Sequence, residues 1–209
     1  MRISLIGMAG SGKSYWSKKI AKYGFRRFCC DDLIAAKLAP DLTRPDGTKI
    51  NMGKWMGFPY EHHYKKREST YLTYEIEVLI EILEYLESQI NSPKENIVVD
   101  TTGSVIYTGN EILQKLGQYT TVIYLLTPPE VQDKLLNAYI SKPHPMLWRD
   151  SFSKKPDESN QEALARCYPQ LLSARQRLYA RYAEIEIDYY RRNEKGFTVT
   201  DFLHAAKEA

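Results

Sequence analysis

The stretch "ISLIGMAGSGKSYWSKKIAKYG", residues 3–24, decides how the rest of the chain is read. An apolar run, "RISLI" at 2–6, stops at Gly7, and an amphipathic helical pattern opens at Lys13. Between them, Gly7-Met8-Ala9-Gly10-Ser11-Gly12-Lys13-Ser14 satisfies the pattern G-x-x-x-x-G-K-[ST] in full. Strand, glycine-rich turn and helix in that order aim backbone N–H groups and the positive end of a helix at one point, which makes an anion site. Gly7, Gly10, Ser11, Gly12, Lys13, Ser14 and Tyr15 are therefore the expected nucleotide contacts, with Lys13 reaching the β- and γ-phosphates and the Ser14 hydroxyl placed on Mg²⁺. The alternative is a glycine-rich turn that binds nothing, and it requires motif and context to agree by accident.

Outward from this stretch, further short runs rich in branched residues appear at "NIVVD" (96–100), "TTVIYLL" (120–126) and, less cleanly, "AEIEID" (183–188), separated by helical patterns, and a fifth strand is expected near "FRRFCC" (25–30). Short buried strands alternating with helices predict an α/β fold with a mostly parallel five-stranded sheet. Between Thr73 and Ser88 the spacing predicts a helix that buries Ile76, Leu79, Ile80, Leu83 and Leu86, with Glu75, Glu77, Glu81, Glu84 and Glu87 on the solvated face. Two stretches break the alternation. Residues 39–63 are rich in Pro, Gly and aromatics, and residues 141–160 are polar, basic and interrupted by Pro. Segments of that length inside a compact domain are binding elements, lids or disorder.

Composition narrows the partners. With 29 Lys and Arg against 26 Asp and Glu in 209 residues, the net charge of +3 gives no phosphate-neutralising stripe, so no nucleic-acid partner is expected. No apolar run reaches the length of a membrane span, and Cys29, Cys30 and Cys167 have no framework spacing. The expectation is a cytoplasmic monomer in a reducing compartment. His62 and His63 lack metal-ligand spacing to any Cys, so no zinc is assigned.

Acidic residues fall where strands end. Asp100 closes the run 96–100, where the second acidic group of a phosphate-loop enzyme meets the metal; it also suits a turn. Asp31 and Asp32 follow the run 25–30, and parallel strands bring such ends to the ligand side of the sheet. Asp31, nearer the strand, is the preferred group to orient an attacking hydroxyl, against the plain reading of a helix cap. Among Lys142, Arg149, Lys154 and Lys155, Arg149 is the first choice to clamp a transferring phosphoryl group, since a guanidinium binds it bidentately. Trp55, Phe58, Tyr60 and Tyr64 line an acceptor pocket or fill core beneath a long loop. Lys65, Lys66 and Arg67 are solvated unless one is turned inward as an anion clamp. No guanine-reading Asn-Lys-x-Asp segment occurs, which favours a kinase over a switch GTPase.

Four blocks, "GMAGSGKS" (7–14), "CCDDLI" (29–34), "VVDTTGS" (98–104) and "LLSARQRLYARYAEIEID" (171–188), resemble the shikimate kinase family, within the nucleoside-monophosphate-kinase-like group of phosphate-loop kinases. The resemblance spans almost the whole chain in order. It implies a P-loop NTPase three-layer α/β/α fold, one kinase domain over 1–209, with an acceptor-binding excursion at 39–70 and a lid at 141–160. It also implies ATP and Mg²⁺ as cofactors, with Lys13 and Ser14 on the nucleotide and Mg²⁺, and Asp31 on the acceptor hydroxyl. Arg175 would bind the acceptor or the moving phosphate. Apart from the resemblance, Asp32, Arg67 and Gly103 are the further expected substrate contacts. Three positions depart from the family pattern: Cys29 stands where its first Asp falls, Gly103-Ser104-Val105 where its glycine triplet falls, and His144 where its lid Arg falls. Metal support then passes to Asp100. The expected activity is ATP-dependent transfer of a phosphoryl group to a hydroxyl of a small metabolite other than shikimate. A nucleotide or nucleic-acid 5′-hydroxyl kinase and a non-catalytic ATP-binding switch are the alternatives.

Overall fold

The structure, a computed structural model, describes residues 1–89 and 95–207. Five strands, β1 (Arg2–Ile6), β2 (Phe25–Cys29), β3 (Asn96–Asp100), β4 (Thr121–Leu125) and β5 (Ile185–Ile187), form one sheet in the order β2-β3-β1-β4-β5. Every pairing is parallel, and all five strands lie within the runs expected from sequence. The central strand β1 carries Ile3 and Leu5 on one face and Ile6 on the other, each fully buried, as a strand covered on both sides requires.

Helices close both faces. On one side α1 (Lys13–Ala21) and α10 (Val199–Ala205) bring Trp16, Ile20, Val199 and Phe202 against Ile3, Leu5, Val98, Ile123 and Leu125. Trp16 stacks on Phe202 with ring centroids 4.8 Å apart. On the other side α2 (Cys30–Lys37), α5 (Tyr64–Ser88), α6 (Asn110–Tyr119), α7 (Gln132–Ser141) and α8 (Asn160–Tyr182) cover Ile97, Val99, Val122 and Tyr124. Two short helices, α3 (Ala39–Leu42) and α4 (Met52–Met56), lie between α2 and α5, and α9 (Tyr189–Asn193) precedes α10. This is a three-layer α/β/α arrangement. Its crevice lies at the C-terminal ends of β1 and β3, whose following chains run to opposite sides of the sheet. The three cysteines are unpaired. Among the described residues no helix is long and apolar enough to cross a membrane.

The face that α5 buries differs from the apolar stripe in the sequence. Its buried residues are Tyr64, Glu68, Tyr71, Glu75, Val78, Leu79, Ile82, Leu83 and Leu86, while Ile80 is 43% exposed. The helix is 25 residues long, and its first half packs under the crevice, where polar groups are needed. Glu75, expected in solvent, is fully buried there.

The stretch 141–160 is anchored at its centre. Met146, Leu147 and Trp148 are core residues, and Tyr64 Oη donates to the Met146 carbonyl at 2.7 Å while accepting from the Trp148 N–H at 2.8 Å. Its ends differ: Lys142, Lys154 and Lys155 are exposed. Of the four aromatics in the excursion, Trp55 and Tyr64 are buried, and Phe58 stacks on the more exposed Tyr60. The core reading describes them.

Candidate active site

The loop after β1 turns through glycine conformations that other residues adopt only with strain: φ is 83° at Gly10 and 96° at Gly12. At Gly7 a Cβ would fall 2.9 Å from the Leu125 carbonyl oxygen, so the strand end also needs a missing side chain. Lys13, at the start of α1, is buried and donates to the carbonyls of Gly7 and Met8 at 2.8 and 2.9 Å. Burial pushes its pKa down to about 8, while the charges of Asp100 and Asp31 oppose that fall. The buried Ser11 hydroxyl has no protein partner. A glycine-built turn leading into a helix start, a lysine held over the turn's own carbonyls and an unpartnered hydroxyl fit a phosphate chain.

Arg192, absent from the sequence reading, braces this loop. It lies 5% exposed on α9 and donates to the Ser11 carbonyl at 3.2 Å, the Ile187 carbonyl at 2.9 Å, and the Leu126 carbonyl. Burial pulls even its guanidinium down to about 10.

A cleft of about 500 Å³ opens in front of the loop. Gly10, Gly12, Lys13, Ser14 and Tyr15 form one end, and Asp31, Met52, Tyr71, Thr102, Gly103, His144 and Pro145 form the other. Asp31 comes from the first turn of α2, and Tyr71 Oη donates to its Oδ1 at 3.2 Å. Burial raises the Asp31 pKa above the ordinary aspartate value, with Lys13 pulling the other way. Gly103 admits the phosphate loop closely: a Cβ there would sit 3.1 Å from the Ala9 nitrogen. Gly53 on α4 does the same for the segment after α7, since a Cβ would meet the Pro143 carbonyl oxygen at 2.0 Å.

Asp100 ends β3 with 2% exposure. Its Oδ2 accepts from Ser17 Oγ at 2.8 Å and from Arg27 at 2.5 Å, while Oδ1 is buried without a partner. Arg27 also donates to Ser17 Oγ at 2.8 Å. The orphaned Oδ1 and the Ser14 hydroxyl fit a magnesium ion held partly through water, which needs few protein ligands. Among the described residues no group of three or more His, Cys, Asp or Glu is arranged to hold a metal.

Four residues expected on the acceptor or the moving phosphoryl group, Asp32, Arg67, Arg149 and Arg175, lie outside the cleft lining. Asp32 is one residue further round α2 than Asp31, so its carboxylate turns to solvent, 79% exposed, 3.8 Å from Arg27. Arg67 donates to the Trp55 carbonyl and lies over the Trp55 ring at 5.7 Å, on the far side of α4, where a second cavity is rimmed by Arg44, Lys54 and Lys66. Arg149 has a positive φ of 52°, its N–H donates to Glu68 Oε1 at 2.8 Å, and its guanidinium stays near Glu68, half exposed. Arg175 is buried behind Gly103, donating to the Gly103 carbonyl at 3.2 Å and the Leu147 carbonyl at 2.7 Å. Both terminal nitrogens are committed to backbone, so it braces the Gly103 turn from behind the cleft. Tyr179 reinforces this by donating to the same Gly103 carbonyl.

Behind the cleft floor, Glu75 accepts from Thr102 Oγ1 and from Ser104 Oγ, the latter at 2.6 Å. Burial lifts its pKa to about 7, against those hydrogen bonds. A sequence signal for Glu68, Tyr71 and Glu75 did exist: they continue the i, i+3, i+4 register of Val78, Leu79 and Ile82 toward the helix start, in polar residues.

The sequence matches no family model and no curated protein. Solved structures do match. A shikimate kinase from Acinetobacter baumannii in complex with shikimate is 23% identical, with a TM-score of 0.62 over 100% of this chain and 95% of that one. Shikimate kinase from Aquifex aeolicus is 17% identical, with a TM-score of 0.58 over 98% and 95%. Dephospho-CoA kinase from Campylobacter jejuni is 15% identical, with a TM-score of 0.52 over 98% and 92%. With a phosphate loop after the central strand of an all-parallel sheet, the chain has a shikimate kinase-like P-loop kinase fold.

Proposed function

We propose that this protein transfers the γ-phosphoryl group of ATP, with Mg²⁺, to a hydroxyl of a small molecule. The observation that carries the reading is the convergence of Lys13 and Asp31 on one cleft, a phosphate-binding cation at one end and a partly protected carboxylate at the other. Residues 1–209 act as one kinase domain, with 39–70 shaping the acceptor end and the exposed flanks of 141–160 covering it.

In this reading the loop N–H groups and Lys13 hold the phosphates and offset charge that spreads over the transferred group. Leaving its resting carbonyls, the Lys13 ammonium exchanges two neutral acceptors for phosphate oxygens, a stronger charge-assisted contact. Ser14 and Asp100 would hold Mg²⁺, which supplies charge neutralisation at the β- and γ-phosphates. Asp31 accepts a hydrogen bond from the attacking hydroxyl and takes its proton as the new P–O bond forms and the bond from the γ-phosphorus to the bridging oxygen breaks, with ADP leaving; burial, by raising its pKa, makes it the stronger base. Arg175 fixes Gly103 and Leu147, and so the width of the acceptor end.

The engagement of Asp100 by Arg27 favours a second reading, an ATP-binding switch without turnover, because that cation competes with a metal. Asp31→Asn separates the two. As a kinase, the protein loses at least about 10²-fold in kcat while its ATP affinity changes little; Lys13→Ala loses both. Nucleotide binding without any phosphorylated product from the wild type over a broad panel of alcohols would refute the transfer reading.

A further inference from the structure

We infer that the acceptor is a carboxylate-free polyhydroxy compound, recognised through its own hydroxyl donors. This rests on the kinase reading for which end of the cleft holds the acceptor, but the binding preference stands on the polar groups there. Among the described residues lining the cleft, Lys13 is the one fixed cation, and it belongs to the phosphate loop. Arg175 is not free to take its place, with both terminal nitrogens on backbone carbonyls.

What the acceptor end offers instead is lone pairs. Asp31 presents carboxylate oxygens. Tyr71 has given its proton to Asp31 Oδ1 and presents its phenolic oxygen. Thr102 has given its proton to Glu75 and already accepts from the Ser104 N–H at 3.0 Å. His144 completes the set. Its Nε2 is buried without a partner, and the ring bonds to the Lys142 backbone in a way that favours a proton on the other nitrogen, Nδ1. Burial, followed by the charges of Arg175 and Lys13, pushes the imidazole down to about 4, so it is neutral near pH 7 and Nε2 carries a lone pair.

Three acceptors, Asp31, Tyr71 and His144, therefore face the bound molecule, and each needs an O–H from it. A hydroxyl supplies one. A carboxylate supplies none, and it would enter beside Asp31 without a counter-charge. Sites built to pair a substrate O–H reject molecules that leave those groups unpaired, and a like charge adds to the rejection.

The experiment uses matched pairs: ribitol and ribonate, glucose and glucuronate, myo-inositol and quinate. Two readouts are taken on the full chain: phosphorylated product with Mg-ATP by phosphorus NMR, and binding to the ADP-loaded protein by calorimetry. The expected result is that at least one polyol exceeds its carboxylate partner by about 10²-fold, in kcat/KM or in affinity. His144→Arg should move that ratio toward the carboxylate by about tenfold or more while the KM for ATP holds. Equal or better use of the carboxylates by the wild type overturns the inference and leaves phosphoryl transfer intact. Preferential polyol binding without product supports the inference and removes the transfer reading. Failure of every polyol to bind or react overturns the inference.

Discussion

Replacing Glu75 by Gln tests whether a buried charge under the cleft floor shapes the stability of this protein. Glu75 is 0% exposed, and its pKa rises from the model-peptide 4.5 to about 7 because burial outweighs the Ser104 and Thr102 hydrogen bonds. The folded state therefore binds the proton more tightly than the unfolded chain. Below the unfolded pKa both states are protonated; as pH climbs toward the folded pKa, the unfolded state releases its proton first and stability falls. A shift of this size corresponds to about 3 kcal/mol in full, of which about 2–3 kcal/mol falls between pH 5 and pH 8. The Gln variant keeps one carbonyl acceptor for two hydroxyls, so it carries a roughly constant offset of about 1–2 kcal/mol. Urea denaturation of both proteins across that range, followed by the fluorescence of buried Trp16, Trp55 and Trp148, separates slope from offset. The variant should gain on the wild type by about 2–3 kcal/mol from pH 5 to pH 8. Parallel curves would refute the reasoning, because then Glu75 titrates alike in both states.

Gly53→Ala places a methyl group against backbone at Pro143, and neither backbone can yield cheaply; a loss of about 1–3 kcal/mol is expected in denaturant melts, together with a raised acceptor KM because His144 and Pro145 are displaced. A KM that stays constant despite destabilisation would mean that the segment after α7 does not shape the acceptor end. Arg27→Gln removes the partner of the buried Asp100 carboxylate, and about 2–4 kcal/mol of stability should go with it. The same change should raise apparent Mg²⁺ affinity several-fold in a titration at fixed ATP, since a fixed cation leaves the neighbourhood of the carboxylate proposed to hold the metal. Lost stability with an unchanged magnesium requirement would argue that Asp100 holds no metal.

The sheet and the phosphate loop were legible because their signals are local. Four of the strands are short runs holding β-branched residues, β2 is marked by Phe25 and Phe28 just ahead of a helical pattern, and Gly7 to Ser14 is a fixed spacing whose geometry depends on near neighbours. The acceptor end was less legible, for identifiable reasons. Asp31 and Asp32 are adjacent in sequence but about 100° apart around a helix, so that one lines the cleft and the other meets solvent. Arg149 and Arg175 are residues of the expected type, but their partners, Glu68 on α5 and the carbonyls of Gly103 and Leu147, are 28 to 81 positions away in sequence. Glu75 read as solvated because alternation with other Glu residues suggested a polar face, whereas the helix carries a buried polar half under the crevice.

The placement of acid at the strand ends explains why Arg27 matters. Cys29 and Asp100 are register partners on adjacent parallel strands, so their side chains emerge about 5 Å apart at the same edge of the sheet. Burial pushes the Cys29 thiol up to about 11, which keeps it neutral and leaves Asp100 as the carboxylate of that pair. Arg27, two residues earlier on β2 and thus on the same face as Cys29, reaches across to Asp100. This guanidinium supplies the counter-charge that a buried carboxylate requires. Only Oδ2 is used by Arg27 and Ser17, and Oδ1 is left over. Were Mg²⁺ held by Asp100 as proposed, it would meet at Oδ1 a carboxylate that is already oriented but partly neutralised. On that reading, magnesium affinity would be lowered in return for a site whose geometry is set before nucleotide binds.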